Sequence, residues 1–145
     1  MYILVSRCLL GEPCRYDGKS KPVLEIRELE ERGHIFVPVC PEVLGGLDTP
    51  RPPAERQKDG RVVNKAGEDV TAQYISGAQQ ALELAKQYGC SCAILKAKSP
   101  SCGNVQIYDG SFTGALIPGQ GVAAQLIAQA GIPVFNEEQL ECITE

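Results

Sequence analysis

Apolar residues along this chain fall into two patterns, short unbroken runs and stripes of helical period. The runs at 2–6, 35–39, 92–95 and 133–135 have the Val, Ile and Leu character of strands buried on both faces of a parallel sheet. Pro22 opens a helix that carries Leu24, Ile26 and Leu29 to about residue 32, where Gly33 ends it. A longer helix begins at Asp69 or Thr71 and reaches about residue 88. Its buried stripe is Ile75, Ala78, Leu82 and Ala85, and Gly89 is its stop. Residues 120–130 read as a third helix, and Asn136 caps a fourth that runs through Leu140.

The stretch 40–68 has neither period. Pro41, Gly45-Gly46, Pro50, Pro52-Pro53, Gly60 and Gly67 punctuate it, and Asp59-Gly60 predicts a tight turn between short extended pieces. An irregular segment this long in a compact domain reads as a binding loop. Asp109-Gly110, between extended segments at 105–108 and 111–114, predicts a hairpin. The resulting order implies a single α/β domain over 1–145. Its architecture is a three-layer, Rossmann-like sandwich with a mostly parallel sheet and a β-hairpin insertion.

Composition narrows the function classes. At 145 residues, with 43% apolar and 22% charged residues, the chain can bury a core without staples. A net charge of -4 argues against a broad nucleic-acid or membrane surface but leaves room for a small anion pocket. Trp is absent, and Phe and Tyr are too few to build stacking platforms for single strands. The apolar start is too short for a signal peptide and no run spans a bilayer, so a cytoplasmic location is expected. In that reducing compartment, seven cysteines point to metal binding or catalysis rather than to disulfides.

The cysteines carry the chemistry. Cys8, Cys40 and Cys102 each sit just past one of the apolar runs, and open α/β sheets bind ligands beyond the carboxyl ends of their strands. Three thiols delivered to that rim can converge on one metal or cluster. Cys14, in the loop that holds Cys8, is an alternative ligand or a mobile thiol. Cys90 and Cys92 fall at the opposite rim and read as packing residues; Cys142, near the end of the chain, reads as incidental. A three-thiolate site is open. With zinc it would be an unusual hydrolytic centre, and with an iron–sulfur cubane it would leave one iron as a Lewis acid for soft sulfur. His34, the sole histidine, precedes its strand and is a poor ligand or catalytic base.

Polar residues beside these thiols have two readings each. Glu42 is a general acid or base, or an ordinary helix-start carboxylate. Ser99 and Ser101 bond a substrate or a cluster sulfur, or satisfy the loop backbone. Arg15, Lys19, Arg51 and Arg56 could contact an anion from the two long loops. Gly45-Gly46 and Gly119-x-Gly121 match neither the Walker A nor the dinucleotide pattern, which leaves nucleoside triphosphate chemistry unsupported.

Together, Ser6-Arg7-Cys8-Leu9-Leu10-Gly11, Cys14-Arg15-Tyr16-Asp17-Gly18, Val39-Cys40-Pro41-Glu42, Gly45-Gly46-Leu47, Thr49-Pro50-Arg51-Pro52-Pro53-Ala54-Glu55 and Ser99-Pro100-Ser101-Cys102-Gly103 resemble domain-of-unknown-function family 523 over nearly the whole chain. Members include thiouracil desulfidases that hold a [4Fe-4S] cluster on three cysteines. The resemblance implies that Cys8, Cys40 and Cys102 are the ligands and that Glu42 and Ser101 are catalytic partners. It implies hydrolytic, non-redox removal of sulfur from a small thiopyrimidine: 2- or 4-thiouracil, or a thiouridine nucleotide. The thiocarbonyl sulfur would meet the unique iron, Glu42 would activate water, Ser101 would orient the substrate, and sulfide would leave. Larger relatives carry an extra domain and act on thiolated tRNA; the acidic charge here agrees with a free base or nucleotide instead. A homo-oligomer is an open expectation. Two further readings remain: a sulfurtransferase with a persulfide on Cys102 or Cys14, and a non-catalytic zinc or cofactor-binding module.

Overall fold

The computed structural model describes residues 1–19 and 23–140. In chain order its elements are β1 (Tyr2–Ser6), a 3-10 turn (Arg7–Leu10), α1 (Leu24–Glu31), β2 (Ile35–Val39), α2 (Pro41–Leu44), β3 (Ala54–Arg56), β4 (Val62–Asn64), α3 (Thr71–Gln87), β5 (Cys92–Ile94), β6 (Gln106–Tyr108), β7 (Leu116–Pro118), α4 (Val122–Gln129) and β8 (Val134–Phe135).

The four apolar runs pair in parallel in the order β2-β1-β5-β8. Alternation along the strands sends Ile3, Val5 and Ile94 to one face, where Ile26 and Leu29 of α1 cover them. Leu4, Val37, Val39, Ala93 and Leu95 pack with Ala81 and Ala85 of α3 and Ala124 and Ile127 of α4. This is the expected three-layer sandwich. The chain leaves β1 toward β2 on one side and later adds β5 and β8 on the other. The β1/β5 boundary is therefore the switch point, and the crevice beyond its carboxyl end is the natural ligand site. No described helix is long and apolar enough to cross a membrane.

Three local expectations change. The buried stripe of α3 is Tyr74, Gly77, Ala78, Ala81 and Ala85, while Ile75 is 44% exposed. The helix is rotated because Gly77 meets α2 backbone to backbone: a Cβ there would lie 1.8 Å from the Pro41 carbonyl oxygen. A Cβ on Gly45 would lie 1.9 Å from the Gln73 carbonyl oxygen, so both glycines are required for the contact.

The second hairpin pairs β6 with β7, not with 111–114. Asp109 accepts the Ser111 N–H (2.9 Å) and hydroxyl, which curls 109–115 into a wider loop closed by the Asp109 N–H on the Ala115 carbonyl. No helix forms over 136–139. Asn136 accepts the Glu138 N–H as a cap would (2.8 Å), but Asn136 and Gln139 also bond Asn104. The Asp59-Gly60 turn does join two short strands, β3 and β4. Pro22 and Cys142 lie outside the described residues.

Candidate active-site cavity at the carboxyl rim

The loops after β1, β2 and β5 enclose a cavity of about 430 Å³, within the range that takes a small ligand. Cys8, Cys14, Cys40 and Cys102 all line it, each buried and none in a disulfide. Glu42 lines it as well. The structure thus brings together both candidates for the first ligand with the other two expected cysteines. His34 lies at the opposite end of the sheet, with Nδ1 3.2 Å from the Met1 amino group. Cys90 and Cys92 are buried in the core, away from the cavity lining.

Cys40 and Glu42 owe their placement to α2. Pro41 starts that helix directly after Cys40, and the Gly45–Gly77 contact presses the helix onto α3. Tyr74, one turn before Gly77, then reaches Glu42: its buried hydroxyl donates to Oε1. Arg51 Nε donates to the same oxygen at 3.4 Å. Burial, followed by the Glu42 charge, pushes the Tyr74 hydroxyl far up, so it stays a proton donor to the carboxylate. A carboxylate held from two sides while facing a cavity is well placed for proton transfer. Sequence reasoning missed Tyr74. The mid-helix Gly77, paired with Gly45-Gly46, was the available sign of a close approach at that point.

Cys102 is set by the loop after β5. The Ser99 hydroxyl accepts the N–H groups of Ser101 (3.1 Å) and Cys102 (3.0 Å). Ser6, the last residue of β1, accepts the Lys96 N–H (3.0 Å) and donates to Cys102 Sγ (3.6 Å). Burial pushes the Cys102 thiol up to about 12, against a smaller opposing effect of the Ser6 hydroxyl. Ser101 does not line the cavity. It is wholly buried beside Cys102, whose thiol it nudges down, and its hydroxyl finds no partner of ordinary hydrogen-bond geometry.

Cys8 and Cys14 come from one loop. Gly11, with φ +101°, turns the chain after the 3-10 turn, and the Arg7–Glu12 ion pair spans the bend. Cys40 Sγ lies 3.7 Å from the Cys14 carbonyl, and Arg51 Nη2 donates to that carbonyl at 3.1 Å. Contact with Cys14 and burial push the Cys40 thiol far up. For Cys14 the Cys40 contact acts downward, but the Cys8 contact and burial outweigh it and raise the thiol to about 11. Burial and the neighbouring thiols thus favour the protonated form of Cys14 and Cys40.

Of the four cations considered from sequence, Arg15 and Arg51 line the cavity. Arg56 instead donates to the Gln120 carbonyl (2.8 Å), and Lys19 is absent from the lining. Arg7, Lys65, Lys96 and Lys98 join the lining, and Lys96 pairs with buried Glu137 at 3.1 Å. Burial would raise the Glu137 carboxyl, but the Ala97 N–H (2.7 Å), its own N–H and Lys96 hold it below the usual range.

Several buried thiols thus meet at the switch point of an open parallel sheet, with a tethered carboxylate among them, where folds of this class bind their ligands. Residues 3–139 match the family model described as 2-thiouracil desulfurase, and the chain belongs to that family. It is 44% identical over 150 residues to the uncharacterized protein YbbK of Bacillus subtilis (strain 168), covering 97% of this chain and 99% of that one. It is also similar to a solved structure named [4Fe-4S]-dependent thiouracil desulfidase TudS. That match has a TM-score of 0.91 and 48% identity, over 97% of this chain and 93% of that one.

Proposed function

We propose that this chain is a [4Fe-4S]-dependent thiouracil desulfidase that replaces the thiocarbonyl sulfur of a small thiopyrimidine by oxygen from water and releases sulfide. The observation that carries this reading is the meeting of Cys8, Cys40 and Cys102, from three strand ends, with Glu42 around one cavity. The donor set fits the cluster. The lining offers soft thiols and no histidine.

Cys8, Cys40 and Cys102 hold the cluster, which supplies an open iron position with affinity for soft sulfur. Glu42 takes a proton from the attacking water, and Tyr74 and Arg51 keep its carboxylate aimed at the cavity. Ser101 supports Cys102 from the buried side, where its hydroxyl lowers that thiol. The step balances without oxidant: C=S and H₂O become C=O and H₂S. Six cationic side chains and two carboxylates line the cavity of a chain that is acidic overall, which supports a phosphorylated thiouridine among the substrates.

The test is anaerobic reconstitution with iron and sulfide, then assay of sulfide released from 2-thiouracil, 4-thiouracil and 4-thiouridine monophosphate. Release from at least one is expected. A fully loaded protein that leaves all three intact contradicts the reading.

A further inference from the structure

Among the described residues only Lys98 and Phe112 have a left-handed backbone without being glycine, at φ +67° and +58°, and both line the cavity. A bulky aromatic residue in that conformation is an outlier which its surroundings must impose. The cause is visible. Glu55, on β3 and itself buried, turns its carboxylate into the curled loop 109–115. Its Oε1 accepts the N–H of Gly110 (2.9 Å) and of Phe112 (3.2 Å). Gln57 Nε2 adds a bond to the Gly110 carbonyl (3.3 Å). One hairpin thereby clamps the tip of the other over the cavity, and Phe112 and Tyr108 become part of its lining.

We infer that Phe112 is the stacking wall for the planar pyrimidine, and that Glu55 is a positioning residue that holds it there. The clamp explains three observations together: a buried carboxylate spent on two loop N–H groups, a strained phenylalanine where glycine would sit freely, and a hairpin loop wider than its Asp-Gly turn required. Face-on aromatic contact suits a flat heterocycle of either thiolation pattern, because every base presents a π-face. Phe112 therefore sets the ligand class, a planar base, and contributes to ground-state binding. The sulfur chemistry stays with the thiol wall.

The inference rests on the thiopyrimidine reading, and its test separates the two. Binding of labelled uracil, the unreactive product, is measured by equilibrium dialysis on cluster-loaded wild type, F112L, F112G, F112Y, E55A and E55Q. Sulfide release from 2-thiouracil is measured in parallel. F112L, F112G and E55A are expected to bind uracil about ten-fold more weakly and to raise KM with kcat nearly unchanged. F112Y and E55Q keep the ring and the acceptor oxygen, and should stay within about two-fold of wild type. F112G should melt above F112L, since glycine adopts this φ without strain, yet bind no better. That divergence separates a ligand role from a structural one. Uracil binding unchanged in F112L and F112G overturns the stacking wall. Loss in F112L with none in E55A overturns the clamp. Wild type that binds uracil through Phe112 but releases no sulfide from 2-thiouracil, 4-thiouracil or 4-thiouridine monophosphate refutes the desulfidase reading and leaves this inference standing.

Discussion

The two walls of the cavity are built by different means. Cys40 and Cys102 stand on backbone packed against backbone. A Cβ on Gly77 or Gly45 would lie 1.8 or 1.9 Å from a neighbouring carbonyl oxygen, and one on Gly121 would lie 2.4 Å from the Ser101 carbonyl carbon. Nothing there can shift without moving a helix. Cys8 follows β1 on the 3-10 turn, and Cys14 stands farther along the same loop, where Arg51 reaches the Cys14 carbonyl, the Asp48 carbonyl and the Thr49 hydroxyl while also holding Glu42. The first wall fixes where two thiols and the carboxylate sit; the second closes on them through replaceable polar bonds. A site that must admit a cofactor after folding needs this asymmetry, with one rigid half as template and one half able to adjust.

The sharpest way to break the comparison is Gly77→Ala. In an ordinary helix this substitution stabilises by about 1 kcal/mol. Here it should destabilise by about 4 kcal/mol or abolish folding, because the new methyl meets the Pro41 carbonyl. Chemical denaturation reads the sign directly. Arg51→Met comes next, with an expected cost of about 2–3 kcal/mol, since it strips buried charge-assisted bonds from the looped wall. Its distinguishing result is poor cluster retention with the α2–α3 contact intact, read by iron content against helical circular dichroism.

Tyr74→Phe removes one partner of Glu42 and leaves Arg51. A loss of about 1–2 kcal/mol is expected, together with a fall in kcat larger than any change in KM. The smallest effect is on pH. Glu137 is held below its usual range in the fold, so its contribution is complete above the unfolded value of about 4.3 and fades as pH falls through that region. Glu137→Gln should flatten the melting-temperature profile below about pH 4.5 and leave the neutral region nearly parallel to wild type.

The rim thiols were legible because buried parallel strands announce themselves as apolar runs, and because a fold of this kind delivers whatever follows those runs to one edge. The ties around them were not. Tyr74 reaches Glu42 across two helices, and Arg51 acts through a loop whose path no periodicity describes. The pattern that misplaced the α3 stripe, Ile75 in place of Tyr74, failed because a glycine contact, not apolar spacing, sets that helix's rotation. The Asp109-Gly110 turn was misjudged for a related reason. Its local chemistry favours a tight hairpin, but Glu55 captures two N–H groups of the loop and holds it open.

The most direct test of the central claim is iron and acid-labile sulfide per chain after anaerobic reconstitution, for wild type and for Cys8→Ser, Cys14→Ser, Cys40→Ser and Cys102→Ser. About four of each per chain are expected in wild type and in Cys14→Ser, with marked loss in the other three. Full loading in Cys40→Ser or Cys102→Ser, or stoichiometric zinc in place of iron, would contradict a cluster held by three strand-end thiols.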